Sequence, residues 1–112
     1  MKAFPLFLDV ENKAIVVFGG SADAAAKLRL ALKTCASVLV VAEELDTRVL
    51  QLGDAEWISC PPLDYSFPNN VAFAFAATGN PELDHQLAER ARSYGVLVCA
   101  ADQQAVSDFT TP

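Results

Sequence analysis

The stretch Ala14-Ile15-Val16-Val17-Phe18-Gly19-Gly20-Ser21-Ala22-Asp23-Ala24 decides the fold. Five consecutive apolar residues leave the segment Ala14–Phe18 with no polar side, so as a strand it must be covered on both faces. That is the situation of a central strand in a parallel sheet. Gly19-Gly20 ends the run in a tight turn, and a helical pattern follows at once. Over residues 22–34, Ala24, Leu28, Ala31, Leu32 and Cys35 fall on one helical stripe, with Lys27 and Lys33 off it.

Outward from this unit the same alternation repeats. Val38–Ala42 reads as a second buried strand, and Asp46 to Leu52 as a short helix with Asp46 as N-cap and Gly53 as stop. Glu56–Cys60 is a weaker third strand closed by Pro61-Pro62, and residues 61–70 form a proline- and asparagine-rich loop. Val71–Ala77 is a fourth strand. Asn80-Pro81-Glu82 supplies a cap, a proline at the first helical position and an acid in the first turn. Leu83, Leu87, Ala91 and Tyr94 form the stripe of that helix, Gly95 ends it, and Val96–Ala100 is a fifth strand leading to Asp102. Strict strand–helix alternation requires parallel pairing through right-handed crossovers. The expectation is an α/β fold, a Rossmann-type doubly wound parallel sheet in the order 3-2-1-4-5. Ligands bind such sheets in the crevice where strands 1 and 4 diverge.

The whole chain of 112 residues suits a single domain, residues 1–112, with a hydrophobic content of 53%. No apolar run reaches the ~18 residues of a membrane span, and no long apolar stretch follows Met1-Lys2-Ala3-Phe4-Pro5 to act as a signal peptide. The expected compartment is the cytoplasm, with no membrane partner. A net charge of -6 repels nucleic acid, and Lys27, Arg29 and Lys33 are the one local basic cluster. Cys35, Cys60 and Cys99 form no C-x-x-C pair and His85 is the sole histidine, so no metal site is expected and the thiols read as buried or half-buried small side chains.

Candidate chemistry gathers at the carboxyl ends of the strands. In a dinucleotide turn the first glycine makes the bend, the second admits the pyrophosphate and the third position, glycine or alanine, lets the helix pack closely. Gly19 and Ala24 fit the first and third roles, and Ser21 stands in the second, where its hydroxyl can donate to a phosphate. The helix beginning at Ala22 offers free N–H groups and a partial positive charge, which Asp23 in its first turn partly offsets. Asp23 reads equally as an ordinary helix-start acid. Glu43 and Glu44 lie 24 and 25 residues beyond Gly19, where an acid can accept from the adenosine ribose hydroxyls. Two acids there repel a 2′-phosphate and favour NAD over NADP; a solvated loop carboxylate is an equal alternative. Asp102, after small and apolar residues, is either a partly desolvated proton acceptor or the cap of a turn over residues 103–107. A hydrolase nucleophile elbow, G-x-S-x-G, is contradicted by Asp23 at the last glycine and by His85 near a helix start.

Several segments together resemble the N-terminal domain of siroheme synthase, shared by precorrin-2 dehydrogenases and sirohydrochlorin ferrochelatases. They are Phe4-Pro5-Leu6-Phe7-Leu8-Asp9, the Gly19-Gly20 turn, Lys27-x-Arg29, Val38-x-Val40-Val41-Ala42, Ala76-Ala77-Thr78, Gly95-Val96-Leu97-Val98, Asp102 and Phe109-x-x-Pro112. The match runs the length of the chain at consistent spacing. It implies NAD-dependent oxidation of precorrin-2 to sirohydrochlorin, followed by iron insertion, in siroheme biosynthesis. By position, Asp102 matches the family's catalytic aspartate, and Ala22-Asp23 and Glu43-Glu44 match the segments that touch NAD. With Gly19, Gly20, Ser21 and Thr78 these make up the expected cofactor set, and the expected substrate is a small tetrapyrrole.

Several departures from the family pattern fall on the cofactor turn. Ser21 replaces a glycine, Asp23 a valine and Ala26 an arginine; elsewhere Cys35 replaces a glycine, Gly79 an aspartate and Cys99 an asparagine. The family also continues beyond the residue matching Pro112 into a dimerisation region and a helical domain, so a homodimer is implied for the complete enzyme. The alternative is a degenerate Rossmann-type binding or regulatory module that kept the fold without the chemistry.

Overall fold

In the computed structural model, which describes residues 2–111, the apolar runs become five strands: β1 (Ala14–Phe18), β2 (Ser37–Val41), β3 (Glu56–Ile58), β4 (Val71–Ala76) and β5 (Leu97–Ala100). Met1, and Pro112 at the end of the Phe109-x-x-Pro112 match, lie outside the described residues. All neighbouring strands are parallel and their order is β3-β2-β1-β4-β5, as expected. Three helices, α1 (Ala22–Ala31), α2 (Thr47–Leu50) and α3 (Pro81–Ser93), and two 3-10 turns, Pro62–Asp64 and Gln104–Val106, make the connections.

The uninterrupted apolar sequence of β1 follows from its two covered faces. Ile15 and Val17 point to one side, where they meet Ala24, Ala25, Leu28 and Ala31 of α1 and Val49 of α2. Val16 and Phe18 point to the other, against Leu87, Ala88 and Ala91 of α3. Each fully buried Ile, Leu or Phe among these contributes on the order of 1.5–3 kcal/mol. The alanines on the helices let them lie close to the sheet. On the α1 side Phe73, Phe75 and Phe109 pack edge to face, with centroids 5.1–5.8 Å apart, which ties the C-terminal segment across β4. Lys27 closes that corner, its Nζ 5.4 Å from the Phe75 ring centre and donating to Thr111 Oγ1 at 3.0 Å.

The caps of α2 and α3 fall where the sequence places them. Asp46 Oδ1 accepts from Arg48 N at 2.7 Å, and Asn80 Oδ1 accepts from Glu82 N and Leu83 N. Three expectations are corrected. Helix α1 stops at Ala31 and not at Thr34, because Thr34 Oγ1 donates to Ala31 O at 2.7 Å and accepts from Ala36 N, bending the chain into a turn. Cys35 is therefore exposed, while Cys60 is half-buried and Cys99 buried. Tyr94, the C-cap of α3, is exposed with its ring against Phe67, and the α3 residues buried in the core are Leu87, Ala88 and Ala91.

The heads of β1, β2 and β4 are locked together by backbone. Gly19 N donates to Val41 O, Ala77 N to Phe18 O, and Asp46 N to Gly20 O at 2.8 Å. A Cβ on Gly19 would sit 2.1 Å from Ala77 O, and one on Gly20 would sit 2.0 Å from Glu44 O. Gly19 also has φ +124°, which other residues rarely adopt.

Three outcomes follow. Gly20→Ala should lower stability by more than about 2 kcal/mol in urea unfolding, since backbone must move, whereas Gly53→Ala, in open space, should cost only about 1 kcal/mol for its positive φ. Cys35 should be alkylated by iodoacetamide well before Cys99, whose thiol is pushed up chiefly by burial; mass spectrometry of timed samples reads the order. The Arg48 amide holds the Asp46 carboxyl below its ordinary 3.8, so the α2 cap is intact above that pH and is lost as pH falls through the lower folded value. The Arg48 amide resonance should therefore shift with a midpoint below 3.8.

Candidate functional site

Parallel register brings Phe18, Val41 and Ala76 to the same level, so the segments after β1, β2 and β4 emerge side by side. Between them lies an open groove of about 310 Å³, lined by Gly20, Ser21, Glu44, Leu45, Asp46 and Thr78. Gly19 is buried beneath it. The groove thus unites Gly20, Ser21, Glu44 and Thr78 of the expected set.

At its head stands the start of α1. Ser21 is the N-cap residue, in extended conformation, and its side chain makes no capping hydrogen bond among the described residues. The first intrahelical bond runs from Ala25 N to Ser21 O, so the N–H groups of Ala22, Asp23 and Ala24 have no acceptor within the helix. Ser21 Oγ faces the loop after β4, 4.0 Å from where a Cβ on Gly79 would lie. These donors are arranged to receive an anion. Ala22 and Asp23 are exposed on the same first turn, and the Asp23 carboxylate opposes that field.

The opposite wall is acidic. Glu44 lines the groove and is exposed, whereas Glu43 is exposed but lies off it. Asp46, read from sequence only as a cap, also lines the groove, and Arg48 partly neutralises it at 3.1 Å. Beside this wall Trp57 Nε1 donates to Ala42 O at 2.8 Å, and the indole borders a smaller apolar hollow with Leu45, Val49 and Ala55.

The third wall is the loop after β4, and here the sequence reading missed a residue. Asp84, on the first turns of α3, is 2% exposed and is the one buried charged side chain among the described residues. Its Oδ1 accepts from Thr78 N at 3.0 Å and from Thr78 Oγ1 at 2.7 Å. In sequence it looks like a helix-dipole acid; a threonine ahead of the Asn80 cap was the available signal.

Asp102 departs from expectation. It is exposed, does not line the groove, and sits at φ +58°, two residues past the end of β5. Its side chain does not cap the turn over Gln104–Val106 either, whose N-cap position is Gln103. Small neighbours in sequence do not enclose a carboxylate; only packing segments do. The nucleophile-elbow pattern is also excluded geometrically for His85, which pairs with Glu89 at 2.9 Å on the exposed side of α3.

A family model described as "Putative NAD(P)-binding" matches residues 6–112. Siroheme synthase of Actinobacillus succinogenes is 35% identical over 115 aligned positions, covering 100% of this chain and 24% of that protein. Siroheme synthase of Mannheimia succiniciproducens is 32% identical with the same coverage. The chain thus spans about a quarter of the length of these relatives. Among solved structures, SirC, precorrin-2 dehydrogenase, superposes with a TM-score of 0.70 at 17% identity, covering 98% of this chain and 55% of that one, a likeness of fold. The chain belongs to this NAD(P)-binding family and is homologous to the N-terminal region of siroheme synthase.

Proposed function

We propose that the chain is the NAD-binding domain of a siroheme-synthase-like enzyme that oxidises precorrin-2 to sirohydrochlorin. The observation that carries this reading is the start of α1: Ser21, whose hydroxyl makes no capping bond, lines the groove at the crossover between β1 and β4, and the first-turn N–H groups that follow it have no acceptor within the helix. The residues present fit a dinucleotide. Ser21 and the Ala22–Ala24 amides would hold the pyrophosphate, Glu44 would accept from a ribose hydroxyl, and Gly20 lines the groove without a side chain. When bound, the nicotinamide ring supplies a hydride acceptor.

Asp102 is assigned the proton-accepting role on the tetrapyrrole, at the mouth of β5. Its exposure on this domain fits a residue covered by segments that the longer relatives carry beyond the matched quarter of their length. Glu43 and Glu44, both exposed, favour NAD over NADP by repelling a 2′-phosphate, an effect weakened by salt. Net charge of -6 gives this domain little attraction for a polycarboxylate substrate, so cations for the tetrapyrrole are expected from outside it.

Titration with NAD, followed by the fluorescence of Trp57 beside the β2 end, should saturate in the millimolar range or below. NADP should bind at least about tenfold more weakly, and Glu44→Gln should narrow that ratio. Absence of any response at millimolar NAD would refute the reading. If Ser21→Gly combined with Asp23→Val then gained binding, the native turn would be a degenerate one, the mark of a module that kept the fold and lost the cofactor.

A further inference from the structure

We propose that Asp84 is a positioning residue that makes Thr78 an acceptor-only contact in the cofactor groove, reserved for a hydroxyl or amide donor of the ligand and closed to its phosphates. The inference rests on the NAD-binding reading and specifies how one wall of that site reads the ligand.

A threonine hydroxyl has one proton and two lone pairs. Thr78 Oγ1 lies 2.7 Å from Asp84 Oδ1 and 3.4 Å from Asn80 O, so its proton goes to the carboxylate. A charge-assisted bond of that length is the stronger by about twofold. Asn80 N donates to Thr78 Oγ1 at 3.2 Å and occupies one lone pair. The Thr78 amide also donates to Asp84 Oδ1, at 3.0 Å, so neither donor of Thr78 is free. One lone pair of Thr78 Oγ1 is left without a partner, on a residue that lines the groove.

Burial makes this arrangement stiff. Asp84 is 2% exposed, and a buried carboxylate is penalised for each donor it loses, so a Thr78 hydroxyl turned outward would leave Asp84 Oδ1 with the Thr78 amide alone. A phosphate oxygen needs a donor, and at this wall it meets a lone pair with a carboxylate behind it. A ribose hydroxyl or a carboxamide N–H meets an acceptor. The groove is therefore polarised: donors at Ser21 and the start of α1 for the pyrophosphate, an acceptor at Thr78 for the neutral polar groups.

The test uses the whole chain, with two probes and two measurements. For Thr78→Val, which is nearly isosteric, NAD affinity should fall about fivefold, the worth of one ordinary hydrogen bond, while affinity for inorganic pyrophosphate stays within about twofold. Thr78→Ser should restore NAD binding. Asp84→Asn keeps the accepting oxygen and should behave like the parent, whereas Asp84→Ala should repeat the Thr78→Val pattern. Equal losses for NAD and pyrophosphate, or an unchanged NAD affinity in Thr78→Val, would overturn the proposal. Hydrogen exchange without ligand decides the coupling separately. The Thr78 amide should exchange about tenfold faster in Asp84→Ala than in the parent, with the β1 amides unchanged as a check of folding. An identical Thr78 rate would overturn the proposal even where NAD binds. A parent chain that binds neither probe would refute the NAD-binding reading and the ligand preference built on it, and the exchange rates would still judge the Asp84–Thr78 coupling.

Discussion

At the heads of the strands, backbone packs on backbone with no room for a side chain. Gly19 lies against Ala77 O and Gly20 against Glu44 O, and Asp46 N reaches back to Gly20 O. This contact sets the distance between the start of α1, the loop after β2 and the loop after β4, and so sets the width of the groove. Two alanines in place of the glycines would push both loops outward. The glycines are accounted for by this packing before any ligand is considered, and the same packing leaves the groove floor bare.

Parity in β1 distributes the rest. Alternate residues serve opposite faces, so a segment without a polar residue binds α1 and α2 on one side and α3 on the other. Because β1 lies between β2 and β4 in register, the turn that follows it can be central only if its neighbours end at the same level, as Val41 and Ala76 do. The site is a consequence of how the sheet ends.

Much of this was legible in the amino-acid sequence, and for physical reasons. Continuous apolar runs read as doubly covered strands, and Asn80-Pro81 marked a helix start because side-chain capping and a fixed φ act locally. The early end of α1 was not legible, because Leu32 and Cys35 continue the helical period while Thr34 competes for Ala31 O through its hydroxyl. Asp84 was missed for the opposite reason: an acid in a first turn has a sufficient local explanation, and only the tertiary approach of Thr78 reveals its burial. Asp102 shows the same limit, since enclosure depends on segments distant in the chain. Of the site, the Gly20-Ser21 turn, Glu44 and Thr78 came together as read, and Leu45, Asp46 and Asp84 joined them through loop geometry that no local pattern encodes.

The central claim is that the open start of α1 receives the pyrophosphate of a dinucleotide. Amide chemical-shift mapping of the chain with NAD tests it most directly. The account predicts the largest shifts at Ser21, Ala22, Asp23 and Ala24, with smaller ones at Glu44 and Thr78 and none at the far end of the sheet near Lys13 and Asn70. Saturable shifts that leave Ser21–Ala24 unmoved, or that centre on another surface, would contradict it.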